Sequence, residues 1–445
     1  MAEESAAMNT PEETINAATK KEYQGPIWFV EKINHAERSI ALNRPSSPTI
    51  YRVPDSLREL NKEAYTPQVI SIGPLHHGSL NLNHMENYKL RLFRSFMERT
   101  NINKEKLASI IQDSEESVRE CYAEAIPFDP DTLKQIILVD ASFIIEFCLR
   151  IRSHTEIDDD FMELKPWRMR QIDLDLTLLE NQLPFFIIEK LYELLPLNYT
   201  STYPSSFLEL TFNSYFSDCT EWNTQKIRDD RIDSKDVMHL LDLMRYFYLC
   251  PRQSLPKRRV RAVDKMYCAS QLAEAGLKFK PISSKSIVDL KFNEGVLEIP
   301  TFTLEREMET YARNLIAFEQ CHYPFERYVT DYFIMLDFLI NTGKDVDFLV
   351  DKEIIKKAEL GLDIIPTLPG NFCTGILWRD FNNDYYDLFT QLVEFREKHW
   401  YVILKSSLKR DYFRTPWMGA ATVGAIILLI LTLIQTICTV ISIFK

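Results

Sequence analysis

Residues 415–444 read TPWMGAATVGAIILLILTLIQTICTVISIF and contain no Asp, Glu, Lys or Arg. A helix needs about 20 apolar residues to cross a hydrocarbon core of about 30 Å. Because every backbone amide in lipid must be bonded within its own segment, this stretch predicts a single helix. We therefore predict a transmembrane helix over 416–444, with membrane lipid as its partner. Its expected membrane-anchor residues are Trp417, Gly419, Gly424, Gln435 and Phe444.

Two features of this stretch bear on self-association. Ala420 and Gly424 form a small-x-x-x-small pair, and Gln435 places an amide deep in lipid. Either feature can bring two helices together, by close packing or by a side-chain hydrogen bond. Monomeric anchors carry small residues as well, so the sequence leaves a monomer and a homo-oligomer both open.

The flanking charges predict the orientation of the anchor. Four cations precede it, namely Lys405, Lys409, Arg410 and Arg414, and Lys445 alone follows it. The positive-inside bias then places the large domain in the cytosol. Residues 1–21 are polar and acidic, without the apolar core of a secretory signal, so we expect a tail-anchored protein, with the plasma membrane favoured. The sequon at Asn198 supports the alternative, an extracellular domain.

Composition excludes several classes of function. The net charge of −12 argues against nucleic acid or an anionic membrane face as the main partner. The 445 residues include 11 glycines, and no G-x-G-x-x-G or P-loop pattern is present, which disfavours the commonest nucleotide-dependent enzymes. The eight cysteines are scattered without a C-x-x-C pair, so we interpret them as free thiols in a reducing compartment.

Hydrophobic periodicity predicts a mainly α protein with three regions. These are a disordered tail over 1–25, a large helical domain over 26–411 and the transmembrane helix. The predicted helices begin near Met85 and continue over Lys104–Ala125, Asp131–Arg150, Trp167–Leu195 with a break at Pro184, Ser234–Cys250, Asp264–Ala275, Leu304–Thr342 with a break near Pro324, Val346–Leu360 and Phe381–Lys409.

Short alternating or β-branched runs occur at Leu277–Ile282, Ile287–Phe292 and Val296–Ile299. Asn293-Glu294-Gly295 supplies a turn between the last two runs. We predict a small antiparallel β meander over about 277–299, attached to the helical body.

Several longer strings resemble one known family. They are IYRVPDSLRELNKEAYTPQVISIGPLHHG (50–78), MENYKLR (85–91), LLENQLPFFIIEKL (178–191), AGLKFKPISSKSIVDLKFNEGVLEIPTFTL (275–304), RNLIAFEQC (313–321) and RDYFRTPW (410–417). Together they resemble the plant proteins of the domain of unknown function 247 family, from about residue 50 to the C-terminus. The resemblance is weakest over about 356–400.

The resemblance implies a largely helical plant domain with one C-terminal transmembrane segment. It implies no established catalytic activity. Because some grass members are implicated in self-incompatibility recognition, it favours recognition at or near a membrane. Such an analogy of fold does not by itself fix function.

Two groups of polar residues interrupt the apolar segments. His76 and His77, with His84 and Glu86 nearby, are residue types that can hold zinc or iron. Adjacent histidines point in different directions, however, so a tight loop with backbone-bonded imidazoles is the preferred interpretation and we expect no metal or cofactor.

Glu180, Asn181 and Gln182 lie just before Pro184. Buried polar side chains must be bonded, and here they can bond backbone groups that a helix break leaves free. Asn314, Glu319 and Gln320 form a similar stripe, followed by His322, which could bond to the Glu180 group. We interpret both groups, with His76 and His77, as a structural or recognition cluster.

The sequence thus predicts a non-enzymatic, membrane-anchored recognition or adaptor protein with an unknown protein partner. The alternative is a membrane-tethered hydrolase or transferase of unrecognised type, which would use His76, His77 or Glu180. An enzyme requires a pocket where titratable groups converge, whereas a recognition module buries and bonds those groups.

Overall fold

A computed structural model describes residues 48–152, 164–196, 204–215, 234–249, 258–263, 265–282, 286, 288–304, 307–357, 373, 375–376, 380–402, 404 and 416–443. The predicted tail over 1–25, the sequon at Asn198 and the anchor residue Phe444 lie outside the described residues.

The protein is mainly α, as predicted. Its α-helices in chain order are α1 (Asp55–Arg58), α2 (Glu86–Thr100), α3 (Lys104–Glu120), α4 (Pro130–Arg152), α5 (Pro166–Asp175), α6 (Phe185–Tyr192), α7 (Phe207–Tyr215), α8 (Leu240–Tyr248), α9 (Ala269–Glu274), α10 (Met308–His322), α11 (Tyr328–Leu339), α12 (Gly343–Asp351), α13 (Asn383–Lys398) and α14 (Pro416–Ile443). Three single 3₁₀ turns are also described, at Glu63–Tyr65, Asn83–Met85 and Ser234–Asp236.

Local capping explains where several helices begin. Asp129 precedes α4, and its carboxylate accepts hydrogen bonds from the backbone N–H groups of Asp131 and Thr132 at 3.0 Å. Asn103 caps α3 by accepting from the N–H of Glu105 at 2.7 Å. Such side chains satisfy N–H groups that have no partner within the first helical turn.

Two hydrophobic clusters make up the core. The first is formed largely by α2, α3, α4, α6 and α7. The second is formed largely by α9 to α13 and the small sheet. Helix α8 contributes to both, with Leu243 in the first cluster and Leu241 in the second. The segment 50–72 does the same, since Ile50 belongs to the first cluster and Val53 to the second.

The predicted helix over Trp167–Leu195 is interrupted earlier than expected. Helix α5 ends at Asp175, and α6 begins at Phe185, directly after Pro184. The prediction that the proline opens a second helix is confirmed, but the helical prediction for 176–183 is wrong. We refer to residues 176–184 as the central loop, because Leu176 and Leu183 pack in the first cluster and Leu179 in the second.

The small sheet has the predicted strands in a different arrangement. Its strands are β2 (Lys278–Ile282), β3 (Lys291–Asn293) and β4 (Val296–Pro300), in the order β2-β4-β3. Strand β3 pairs antiparallel with β4, but β2 pairs parallel with β4, so the predicted antiparallel meander is wrong. Strand β4 is central, and its residues Leu297 and Ile299 are buried. Strand β3 lies at an edge of the sheet and exposes two of its three residues.

Two further two-stranded sheets join segments that are distant in sequence. Strand β1 (Arg258–Ala262) pairs antiparallel with β7 (Asp380–Asn382), and β5 (Phe302–Leu304) pairs parallel with β6 (Ile355–Lys357). The sequence did not predict these four strands. Each has only three to five residues, which is too short to show a hydrophobic period.

Helix α14 carries the apolar C-terminal stretch. Within Trp417–Ser442, the most apolar stretch of 18 residues has a mean hydropathy of 2.5, and none of that stretch is buried. Among the residues described, it is the one helix that is long and apolar enough to cross a membrane. The six described cysteines are free thiols, of which Cys148 and Cys268 are buried.

Candidate functional site

Glu180, in the central loop, lies at the centre of the predicted polar cluster. Its side chain is inaccessible to solvent, and its two oxygens face donors from residues 52–76. Oε1 accepts from the backbone N–H of Val53 at 2.6 Å and pairs with the guanidinium of Arg58. Oε2 lies 3.0 Å from Nε2 of His76 and 3.4 Å from a guanidinium nitrogen of Arg52. The carboxylate therefore joins the loop to the N-terminal part of the domain.

These donors keep Glu180 ionised. Burial alone would raise the pKa of this carboxyl, but the hydrogen bonds from His76 and Val53 and the charge of Arg58 outweigh it, so the pKa is lowered. Arg52 is half-exposed and also pairs with Glu124 at 2.8 Å. The arrangement is a buried anion whose cationic partners reach the surface.

Asn181 and Gln182 bond backbone groups on both sides of the loop. The amide oxygen of Asn181 accepts from the N–H of Ile72 at 2.7 Å, and its Nδ2 donates to the carbonyl of Ile70 at 3.0 Å. Nε2 of Gln182 donates to the carbonyls of Leu176 and Leu178 at 2.7 and 2.8 Å. These bonds replace the helical hydrogen bonds that the loop lacks, which is the structural role predicted for them.

The central loop is also held by a close contact between the backbones of Gln182 and Gly73. The carbonyl of Gln182 accepts a hydrogen bond from the hydroxyl of Tyr122 at 2.8 Å. A Cβ atom added at Gly73 would lie 2.5 Å from that carbonyl oxygen, and Gly73 has a φ of +69°. Glycine is therefore required at this position by both space and backbone conformation.

The polar residues predicted to form a stripe on α10 lie in two separate environments. Oδ1 of Asn314 accepts from the N–H of Leu179 at 3.0 Å, and its Nδ2 donates to the carbonyl of Ala64 at 2.7 Å. Asn314 thus joins the central loop, as the sequence suggested. Glu319 lies elsewhere, in a buried pair with Arg245 at 2.8 Å.

Glu319 has a second structural role. Its Oε2 accepts from both the backbone N–H and the hydroxyl of Thr330 at 2.7 Å, at the start of α11. Gln320 is half-buried, and its Nε2 has no hydrogen-bond partner in the described structure. His322 bonds the hydroxyl of Tyr51 at 2.9 Å rather than Glu180.

The histidine loop does not bring the considered metal ligands together. His76 turns to Glu180, whereas His77 packs edge-on against Phe128 with ring centroids 5.5 Å apart. His84 bonds the carbonyl of Asn81, and Glu86 pairs with Lys89. Within the described part of the chain, no three His, Cys, Asp or Glu side chains are grouped so that they could hold a metal ion.

Several buried ionic residues were not predicted from the sequence. Lys89 is fully buried, donates to Asp140 at 2.6 Å and also reaches the carbonyl of Ser71 at 2.9 Å. Asp175 accepts from the backbone N–H groups of Val69 and Ile70 at 2.7 and 2.9 Å. Asp140, inside the apolar helix α4, was the available signal, but its partner Lys89 is 51 residues away in sequence.

The predicted anchor residues that are described along α14 differ in exposure. Trp417 and Gln435 are exposed on the helix, and nothing lies within 4 Å of a Cβ atom added at Gly424. Gly419 is half-buried in the same helix. Self-association through this helix stays a prediction.

The sequence profile of a plant protein family of unknown function, DUF247, matches residues 50–431. The chain belongs to the DUF247 family. The match covers both hydrophobic clusters, the central loop and part of α14, and it begins at the residue where the resemblance was expected to begin.

Two similar proteins come from Arabidopsis thaliana. One UPF0481 protein is 26% identical over 423 residues, which cover 88% of this chain and 86% of the relative. A putative UPF0481 protein is 23% identical over 401 residues, which cover 69% of this chain and 74% of the relative. No solved structure matches this chain. The family assignment therefore supports a plant origin and supplies no activity.

Proposed function

We propose that this DUF247 protein is a non-enzymatic, membrane-anchored recognition or adaptor module for a protein partner. Helix α14 holds it in a membrane, for which we favour the plasma membrane, and the large domain faces the cytosol. One observation carries the proposal: the polar residues best suited to chemistry are buried and bonded to the protein's own backbone and charges.

A general base needs a lone pair that is directed at a substrate. Both oxygens of Glu180 instead face protein donors, and the amides of Asn181 and Gln182 face backbone groups. Glu319 is occupied in the same way by Arg245 and Thr330. These residues stabilise the domain, and its outer surface is left for contact with a partner.

One observation favours the alternative, a hydrolase or transferase. His76 is bonded to the Glu180 carboxylate at 3.0 Å and keeps a small exposed fraction. A carboxylate that orients a histidine is the arrangement found in general-base catalysis. In such an enzyme, His76 would be the general base and Glu180 would be the residue that positions it.

Proximity labelling in plant membranes separates the two functions. The labelling enzyme is fused to the full chain, to a His76→Asn variant, and to a control in which residues 405–445 anchor an unrelated soluble protein. We expect the full chain and His76→Asn to label the same set of proteins, and the control to lack that set.

Two results would contradict the recognition function. A neighbour set identical to that of the anchor control would show that the domain recognises nothing. A His76→Asn protein of normal stability that retains additional proteins would indicate trapped substrates and favour the enzyme.

A further inference from the structure

Just beyond α13, a short helical segment exposes three large apolar side chains. Trp400 is 64% exposed, Tyr401 56% and Leu404 50%. Residues 400–402 and 404 are helical, so positions 400, 401 and 404 share one side of the helix. Val402 faces the domain instead, where its Cγ1 lies 3.6 Å from a Cβ atom added at Gly276. Because the half-buried Val402 packs toward Gly276, the three apolar side chains, which we call the aromatic edge, are directed away from the domain.

The aromatic edge is close to the membrane helix along the chain. Leu404 and Pro416, the first residue of α14, are separated by residues 405–415. An extended chain spans at most about 3.3–3.6 Å per residue, so the two positions lie within about 40 Å of each other. An edge tethered at this range meets the surface of the membrane that holds α14 more often than any other surface.

Charge around the aromatic edge differs from that of the whole chain. Residues 396–414 contain six Lys or Arg and two Asp or Glu, although the chain as a whole has a net charge of −12. Basic residues beside a membrane are attracted to anionic headgroups over about a Debye length. The excess of cations therefore complements an anionic lipid surface, and the acidic remainder of the domain does not.

We propose that the aromatic edge is a docking surface for the headgroup region of the same membrane that α14 enters. This proposal rests on the membrane anchoring proposed above. Trp and Tyr collect at membrane interfaces because their rings are apolar and their N–H or O–H groups remain hydrated. Contact at the edge gives the domain a fixed face toward lipid, whereas a tether alone would let it rotate.

Tryptophan fluorescence in vesicles tests the proposal, because separate tryptophans report on docking, on anchoring and on a control position. Trp400 reports docking, Trp417 at the start of α14 reports anchoring, and Trp167, which is 59% exposed on α5, serves as the matched control. The full chain is reconstituted into phosphatidylcholine vesicles with or without phosphatidylserine, whose acyl chains are brominated near the headgroup. The emission of each tryptophan is obtained by subtracting the emission of the variant that lacks it from that of the wild type. The variants are Trp400→Phe, Trp417→Phe and Trp167→Phe.

We expect brominated lipid to remove most of the emission of Trp400 and Trp417 and to leave that of Trp167 unchanged. Quenching of Trp400 should be stronger when phosphatidylserine is present. Quenching of Trp417 without quenching of Trp400 would overturn docking and leave anchoring intact. If neither is quenched, the membrane anchoring fails and docking fails with it. Equal quenching of all three tryptophans would overturn a specific docking face.

Discussion

Glu180 is stabilised as an anion by groups that lie more than 100 residues away in sequence. Taking a carboxylate out of water is costly, and the cost is recovered only when several donors surround it. Here Val53, Arg58 and His76 supply those donors, and their effect on its pKa is larger than that of burial. The residue therefore acts as a long-range link in the fold.

Replacing Glu180 with Gln should lower the free energy of unfolding by about 1–3 kcal/mol, since the amide removes the charge and turns one acceptor into a donor. The control is Glu124→Gln, which breaks the half-exposed pair with Arg52 and should cost at most about 1 kcal/mol. Urea denaturation of the detergent-solubilised chain measures both. Equal small effects for the two variants would contradict the structural role of Glu180.

His239 should make the stability of the domain depend on pH. Burial lowers its pKa from 6.5 to about 4, and its Nδ1 accepts from the N–H of Asp242 at the start of α8. Between these values the unfolded chain binds a proton that the folded chain does not, so stability falls as pH decreases from about 6.5 to 4.

A His239→Asn variant keeps a capping acceptor but should lack this part of the pH dependence, which amounts to about 3 kcal/mol. Urea denaturation of both proteins at several pH values gives the two slopes. The same slope in wild type and variant would show that other groups cause the dependence.

At the residue scale the sequence predicted which central-loop side chains are buried, but not all of their partners. Glu180, Asn181 and Gln182 interrupt an apolar run, and buried polar groups must be bonded. That reasoning predicts a structural role for them, and in the structure all three are bonded to other groups of the protein. It does not identify Arg52 or Arg58, because the pairing depends on how two distant segments pack.

The β3–β4 hairpin offers a test at the scale of one element. Its two-residue turn has positive φ at both Glu294 (47°) and Gly295 (79°), the backbone of a type I′ turn. Glycine adopts this conformation freely, whereas glutamate is strained in it. A Cβ atom added at Gly295 would also lie 3.1 Å from the ring of Phe395.

We expect Glu294→Asn to raise the free energy of unfolding by up to about 1 kcal/mol, since Asn tolerates positive φ. Gly295→Ala should lower it by about 1 kcal/mol or more, because the new side chain meets both strain and Phe395. Thermal unfolding of the two variants beside wild type checks both signs. A stabilising Gly295→Ala would contradict the turn.

At the element scale, periodicity located most helices and the hairpin because these depend on residues close in sequence. The central loop was predicted as helix because its leucines have helical spacing. Its amides bond backbone groups and keep it out of the helix. The parallel pairing of β2 with β4 and the β1–β7 pairing are long-range contacts, which a local pattern does not reveal.

At the scale of the whole molecule, the described residues form a domain with two hydrophobic clusters and one exposed apolar helix. The central loop contributes to both clusters, and its polar residues bond segments 50–76 and α10. Loosening the loop should therefore destabilise both clusters together. Helix α14 has no such packing. In the proposed anchoring, its position is decided by lipid and by the charges beside it.

Those charges predict that the domain lies in the cytosol, because four cations precede the apolar stretch and one follows it. Protease protection on intact, cytosol-facing vesicles tests this with one tag at Met1 and another after Lys445. We expect the N-terminal tag to be digested, the C-terminal tag to survive until detergent is added, and Asn198 to lack glycan. A protected N-terminal tag with a glycan that Asn198→Gln abolishes would place the domain outside. Its partner would then be extracellular, and its cysteines would fold in an oxidising compartment.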